Sequence, residues 1–183
     1  MRNLIITQNI TLDGVIDAAG GWFEVGNDTD LDDVAETLRE HSADSDALLV
    51  GRSTFESFRS FWPNQADDET GVRDHLNRVH KYVVSSTLTE PGWEPTTVLS
   101  IDDVAAIKGE PGRDIVCTGS LTLVPELIER GLVDEFRLFV YPVVLGAGQR
   151  LFTQAVDVEL AETREFRSGI VLLRYRASST SAT

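Results

Sequence analysis

Cysteine is almost absent from this 183-residue chain: Cys117 stands alone, so no internal disulfide can form and no zinc-type ligand spacing exists. That usage fits a reducing cytosol. Positive charge is also scarce. Against 30 Asp and Glu stand only 16 Lys and Arg, giving a formal net charge of -14. Such a chain repels a phosphate backbone except at a locally basic site, which argues against nucleic acid as a partner. Lys81 and Lys108 are its only lysines. Long apolar runs are missing too: no segment approaches the roughly 18 residues of a membrane span, and Met1-Arg2-Asn3-Leu4-Ile5-Ile6 lacks the apolar stretch of a signal peptide. A soluble, cytoplasmic protein with no membrane partner is expected. No Gly-x-Gly-x-x-Gly, Walker loop or Gly-x-Ser-x-Gly elbow occurs, which removes support for ordinary Rossmann, NTPase and hydrolase readings. His41, His75 and His80 show no metal-like grouping, and the acids from Asp28 to Asp33 suit a helix N-terminus, so no metal is assigned.

What is present describes one folded domain over residues 1–177, followed by a Ser, Thr and Ala tail over 178–183 that is expected to be disordered. Short runs rich in β-branched residues read as buried strands: Leu4 to Thr7, Ala47 to Val50, Tyr82 to Ser85, Asp114 to Thr118 and Phe136 to Tyr141. Between them, Leu31, Val34, Ala35 and Leu38 recur at helical spacing, as do Leu121, Val124, Leu127 and Ile128. Alternation of this kind predicts an α/β sheet, mostly parallel, because parallel neighbours need crossover helices. After Pro142 the pattern changes. Gly146-Ala147-Gly148 forms a glycine loop, and Val158 to Phe166 with Ile170 to Ala177, around Ser168-Gly169, reads as an antiparallel C-terminal hairpin. Trp62 to Gly71 reads as a surface loop.

Three strand ends carry residues suited to an anion. Gly51-Arg52-Ser53-Thr54 lies between a strand and the short helical piece Phe55 to Phe58, where free amides and the helix dipole favour negative charge and Arg52 adds a guanidinium fork. Ser85-Ser86-Thr87 either caps a turn or binds a phosphoribose. Gly119-Ser120 leads from Thr118 into the Leu121 helix, with Ser120 as its expected N-cap and a backbone at Gly119 that can pass close under a ligand. Several such junctions along one carboxyl edge suit a dinucleotide, which needs several contact points. Thr11-Leu12-Asp13-Gly14 reads either as a turn or as a loop that closes over a substrate.

As a set these segments resemble the dihydrofolate-reductase-like family: Thr11-Leu12-Asp13-Gly14, Leu49-Val50-Gly51-Arg52-Ser53-Thr54-Phe55, Lys81 to Leu88, and Gly119-Ser120-Leu121-Thr122-Leu123. The run Gly131 to Glu135 with Pro142 to Phe152 is similar to the reductase domain of bacterial riboflavin biosynthesis and its stand-alone relatives. The resemblance implies a three-layer α/β/α fold, an NADPH cofactor and a homodimer. It implies cofactor contacts from Gly51, Arg52, Thr54, Ser85, Ser86, Gly119, Ser120 and Leu121. It further implies that Asp13 orients substrate or relays a proton, with Gly14, Phe55 and Thr118 also at the substrate, and that Ile16 to Trp22 forms a lid. In true dihydrofolate reductases an acid at the start of the first helix binds the pterin, and Asp30, Asp32 and Asp33 occupy that region here. Thr118-Gly119-Ser120 replaces the Glu-Gly-Gly of the riboflavin-pathway enzymes, removing a carboxylate that would read a pyrimidine. The expected activity is NADPH-dependent hydride transfer to a small pteridine- or pyrimidine-like heterocycle. The rival is a non-catalytic nucleotide-binding sensor or carrier with the same fold.

Overall fold

The structure is a computed structural model and describes residues 1–17, 19–23, 30–65, 68 and 71–178. The five expected strands form as Leu4–Thr11 (β1), Ser45–Gly51 (β2), His80–Val84 (β3), Asp114–Thr118 (β5) and Glu135–Tyr141 (β6). The C-terminal hairpin forms as Val158–Glu165 (β7) and Val171–Ala177 (β8). One strand escapes the sequence reading: Thr96–Leu99 (β4) is a four-residue edge strand that buries little, so it lacks the apolar run by which the others are legible.

All eight strands join one sheet in the order β4-β3-β2-β5-β1-β6-β8-β7. The pairs from β4 through β6 are parallel, and β8 then runs antiparallel to β6 and to β7. Asp32–Ala43 (α1), Arg52–Phe61 (α2) and Val72–Arg78 (α3) accompany one face, and Val104–Gly109 (α4) with Leu123–Glu129 (α5) the other. Alternation along the strands sorts the side chains between these faces. Leu4, Ile6, Leu49, Ile115 and Phe136 pack with Val104, Val124 and Leu127. Leu48, Val50 and Val83 pack with Phe55 and Leu76, while Phe139, Tyr141 and Leu172 pack with Val34. α3 and α4 escape the sequence reading because each is too short to show a helical stripe.

The α5 helix starts two residues later than its apolar stripe suggests. Gly119 (φ +62°) and Ser120 (φ +54°) are both left-handed, so Ser120 is not the N-cap expected of it. Both lysines are structural. Lys81 is fully buried and donates from Nζ to the carbonyls of Leu76 (2.7 Å) and Val79 (2.9 Å), with Trp93 4.7 Å away; burial brings its pKa down to about 8. Lys108 pairs with Asp134 at 2.6 Å.

The segment Pro142 to Phe152 straps the loop after β1. Leu12, Ile16 and Leu151 donate backbone bonds to Val143, Gln149 and Gly14, and Val15 bridges Arg150. The strap lies so close at Gly148 (φ +129°) that a Cβ there would fall within 2.5 Å of Val15 Cγ1 and 2.8 Å of Asp17 Oδ2. Gly148→Ala combines this overlap with a disfavoured backbone angle, and should destabilise the fold by more than about 1 kcal/mol. A thermal melt unchanged from the parent protein would contradict the tight approach. The tail residues 179–183, parts of the expected loop 62–71, and residue 18 within the expected lid lie outside the described residues.

Candidate functional site

The middle of β1 and the carboxyl ends of β2, β3 and β5 border one cavity of about 1120 Å³. It exceeds the roughly 300–1,000 Å³ of an ordinary single-ligand pocket, leaving room for two ligands side by side. Gly51, Arg52, Thr54, Ser85, Ser86, Thr118, Gly119, Ser120 and Leu121 all line it, so chain segments far apart in sequence meet at one wall.

Three hydrogen bonds brace that wall. The Gly51 amide donates to Ser120 Oγ at 2.9 Å, the Ser120 amide donates to Thr54 Oγ1 at 2.8 Å, and the Gly119 amide donates to Gln8 Oε1 at 3.1 Å. The left-handed pair at 119 and 120 turns these amides toward β1 and α2. The Gly119 contact differs from expectation, since a Cβ there would meet Thr54 Cγ2 at 3.0 Å. A Cβ at 119 would press on Thr54 and sit at a positive φ, so glycine suits the position independently of any ligand.

The α2 helix begins at Arg52 after Gly51, which offers no side chain to cap it, leaving the first amides of the helix itself unclaimed by a capping side chain. Arg52 donates from Nε to Glu56 (2.8 Å) and from Nη1 to Thr87 Oγ1 (2.7 Å), which holds the guanidinium at the mouth of the cavity. Ser85 Oγ accepts from the amides of Thr87 and Leu88, so it caps the turn after β3 while still lining the cavity. Hydroxyls, uncapped amides and one cation form a donor set suited to a phosphate-bearing nucleotide.

Three expected substrate residues lie elsewhere. Phe55 is fully buried against Trp93 within the core between β2 and α3, because the fourth residue of α2 points into the sheet rather than toward the cavity. Asp13 and Gly14 do not line the cavity either. Asp13 accepts from Thr11 Oγ1 (2.7 Å) and from the amides of Leu145 (3.2 Å) and Gly146 (2.8 Å), and these donors bring its pKa down to about 2. It staples the strap to the loop after β1. Two acids at the start of α1 are occupied similarly: Asp30, just before the helix, and Asp33, in its first turn, pair with Arg167, and the Arg167 amide is the main cause holding the Asp33 carboxyl low.

Residues that the sequence reading passed over build the remainder of the cavity. Trp22, Leu38, His41, Phe58, Trp62 and His75 wall the space between α1, α2 and α3. His41 continues the Leu31, Val34 and Leu38 stripe by one more turn, a signal that was available in the sequence. Burial is the main cause bringing the pKa of both His41 and His75 down to about 4, so both are neutral near pH 7. Cys117 is buried, its thiol pushed up to about 12, and is unreactive as a nucleophile.

A sheet of this order, with helices on both faces and a cavity across its carboxyl edge, defines a dihydrofolate-reductase-like α/β protein. The sequence profile of the RibD C-terminal domain matches residues 2–172, and the chain belongs to that family. It is similar to two uncharacterized proteins of Bacillus subtilis strain 168. YyaP is 32% identical, with 95% of this chain and 94% of YyaP covered. YwjB is 28% identical, with 96% and 99% covered. Among solved structures, the dihydrofolate reductase of Enterococcus faecalis in complex with NADP(H) superposes with a TM-score of 0.63 at 16% identity, covering 97% of both chains. The deaminase and 5-amino-6-(5-phosphoribosylamino)uracil reductase of Thermotoga maritima gives 0.63 at 17% identity; 97% of this chain spans 57% of that one. At such identities the likeness establishes the fold.

Ser120→Ala tests the brace. Ser120 is only 5% exposed, and removing its Oγ strands the half-buried Gly51 amide, which should cost about 1–3 kcal/mol in a denaturant melt. Wild-type stability in this variant would show that the brace contributes nothing.

Proposed function

We propose that this chain is an NADPH-dependent reductase acting on a small pteridine- or pyrimidine-like heterocycle. The observation carrying this reading is the single cavity that joins a phosphate-suited wall to an aromatic one, large enough for cofactor and substrate together. Arg52, the first amides of α2 and the hydroxyls of Ser85, Ser86 and Thr87 are the groups that would hold the cofactor's phosphates. Gly119, Ser120 and Leu121 would face its remainder, with their backbone fixed by Gln8 and Thr54. When bound, the cofactor supplies the hydride. The chain positions both ligands, and its apolar walls exclude water from the space between them.

NADPH should bind more tightly than NADH because Arg52 gains a charge-assisted contact with the extra phosphate. The Arg52 side chain is 48% exposed, so solvent screening favours the lower part of an expected range of about 10- to 100-fold. Arg52→Ala should remove most of that preference while leaving the fold intact. Equal affinity of the parent protein for NADH and NADPH in a titration would overturn the assignment. NADPH binding without oxidation across a panel of pteridines and pyrimidines would favour the sensor or carrier instead.

The same reading includes a cytosolic homodimer. Its support is apolar surface on the C-terminal side: Phe152, Val158 and Leu160 are exposed, and β7 is an edge strand. Sedimentation equilibrium at micromolar concentration should give twice the chain mass of 20.2 kDa, and Leu160→Lys should shift it to the monomer. A monomeric parent protein would exclude the dimer.

A further inference from the structure

Arg52 is the cation that the cofactor's extra phosphate would meet, and it is already engaged. Its Nε donates to Glu56 Oε1 at 2.8 Å and its Nη1 donates to Thr87 Oγ1 at 2.7 Å. A guanidinium grips a phosphate best through two parallel N–H groups, from Nε with Nη2 or from Nη1 with Nη2. Glu56 engages a member of the first pair and Thr87 a member of the second. Nη2 is the one nitrogen of the fork with no acceptor among the described residues. A phosphate that takes the Nε edge has to displace Glu56.

The two acceptors differ in what they do to such a phosphate. Thr87 is neutral, and a hydroxyl that loses one contact can turn and donate to the newcomer. Glu56 is an anion. It stands four residues after Arg52 on α2, a spacing at which side chains face one another, so the helix keeps the carboxylate beside the guanidinium after it has been displaced. No other acid shares this position. Glu126, the other lining side chain of charged type, is bound to Arg130 at 3.1 Å, and among the described residues Glu56 is the ion-pair partner of Arg52. Two like charges about 4 Å apart in water repel by an amount worth roughly fivefold in affinity. Both side chains are well exposed, so the water end of the scale applies.

We infer that Glu56 is a specificity-determining residue of the cofactor site, an internal competitor that holds the Arg52 fork in place and sets its preference for a 2'-phosphorylated nucleotide below what Arg52 alone would give. This deepens the cofactor reading and rests on it. Glu56 does not itself line the cavity; it acts through Arg52 and through its own charge.

Calorimetric titration of the full chain with adenosine 2',5'-bisphosphate and with adenosine 5'-monophosphate, which differ by the 2'-phosphate alone, tests the competition. Glu56→Gln keeps an acceptor for Nε and removes the charge. In low salt this variant should bind the bisphosphate about three- to fivefold more tightly than the parent protein and the monophosphate equally well. The gain should shrink in high salt, where the repulsion it relieves is screened. Unchanged or weaker bisphosphate binding by Glu56→Gln, while the parent protein still prefers the bisphosphate, overturns the inference and leaves the cofactor reading standing. Equal binding of both nucleotides by the parent protein overturns the phosphate contact of Arg52 and the inference with it. A gain in Glu56→Gln without NADPH oxidation on any heterocycle supports the inference and removes the reductase reading. A thermal melt of the variant matching the parent protein confirms that the change is in the contact and not in the fold.

Discussion

The two left-handed residues at the end of β5 are the constraint on which the site depends. Gly119 and Ser120 reverse the chain direction within two positions and point their amides at Gln8 and Thr54, while Ser120 Oγ accepts from Gly51. A right-handed start to α5 at this point would aim the same groups along the helix axis, and β1, β2 and β5 would have no polar tie at their shared edge. Ser120 accepts an unfavourable φ for a residue with a Cβ. The compensation is visible, since its amide and hydroxyl are both engaged at a buried position.

The edge is held from a second side by the strap. Asp13, Asp17 and Gly148 bind the loop after β1 to the segment 142–152, and Gln149 reaches from there to the Leu121 carbonyl at 2.7 Å. The loop at the first strand end and the turn after β5 are thereby linked through the C-terminal part of the chain. This explains why Pro142 to Phe152 is so distinctive a sequence while contributing only Gln149 to the cavity lining. Its glycines and acids satisfy packing demands at the rim.

Electrostatics follow the same division. A chain of net charge -14 keeps one cation at the mouth of its cavity, where Glu56 and Thr87 hold it outward, and spends both lysines on buried backbone carbonyls and Asp134. Asp30 and Asp33, at the start of α1, are paired with Arg167. Among the described residues, Arg52 and Glu126 are the lining side chains of charged type, although the chain as a whole is strongly acidic. Membership of the RibD C-terminal domain family fixes the frame of this site; the side chains inside it are what distinguish one substrate from another.

The sequence by itself determined the parallel sheet, its C-terminal hairpin and the residues at three strand ends, because each is a local pattern: β-branched runs, helical stripes, and glycine or hydroxyl residues at the junctions between them. It also carried the family resemblance across nearly the whole chain. Tertiary structure alone decided which way those residues face. Phe55 follows Thr54 by one position, yet one enters the core and the other the site, since adjacent helical residues lie about 100° apart. Asp13 is an acid beside a glycine at a strand end, and only the tertiary structure shows that its oxygens accept from Leu145 and Gly146, 132 and 133 positions away. His41 and His75 sit 34 positions apart on separate helices, and only the packing of α1 against α3 makes them neighbours of one cavity, where burial removes their charge. Residue identity sets which chemistry is available; desolvation and contact, which depend on the whole fold, set which of it is used.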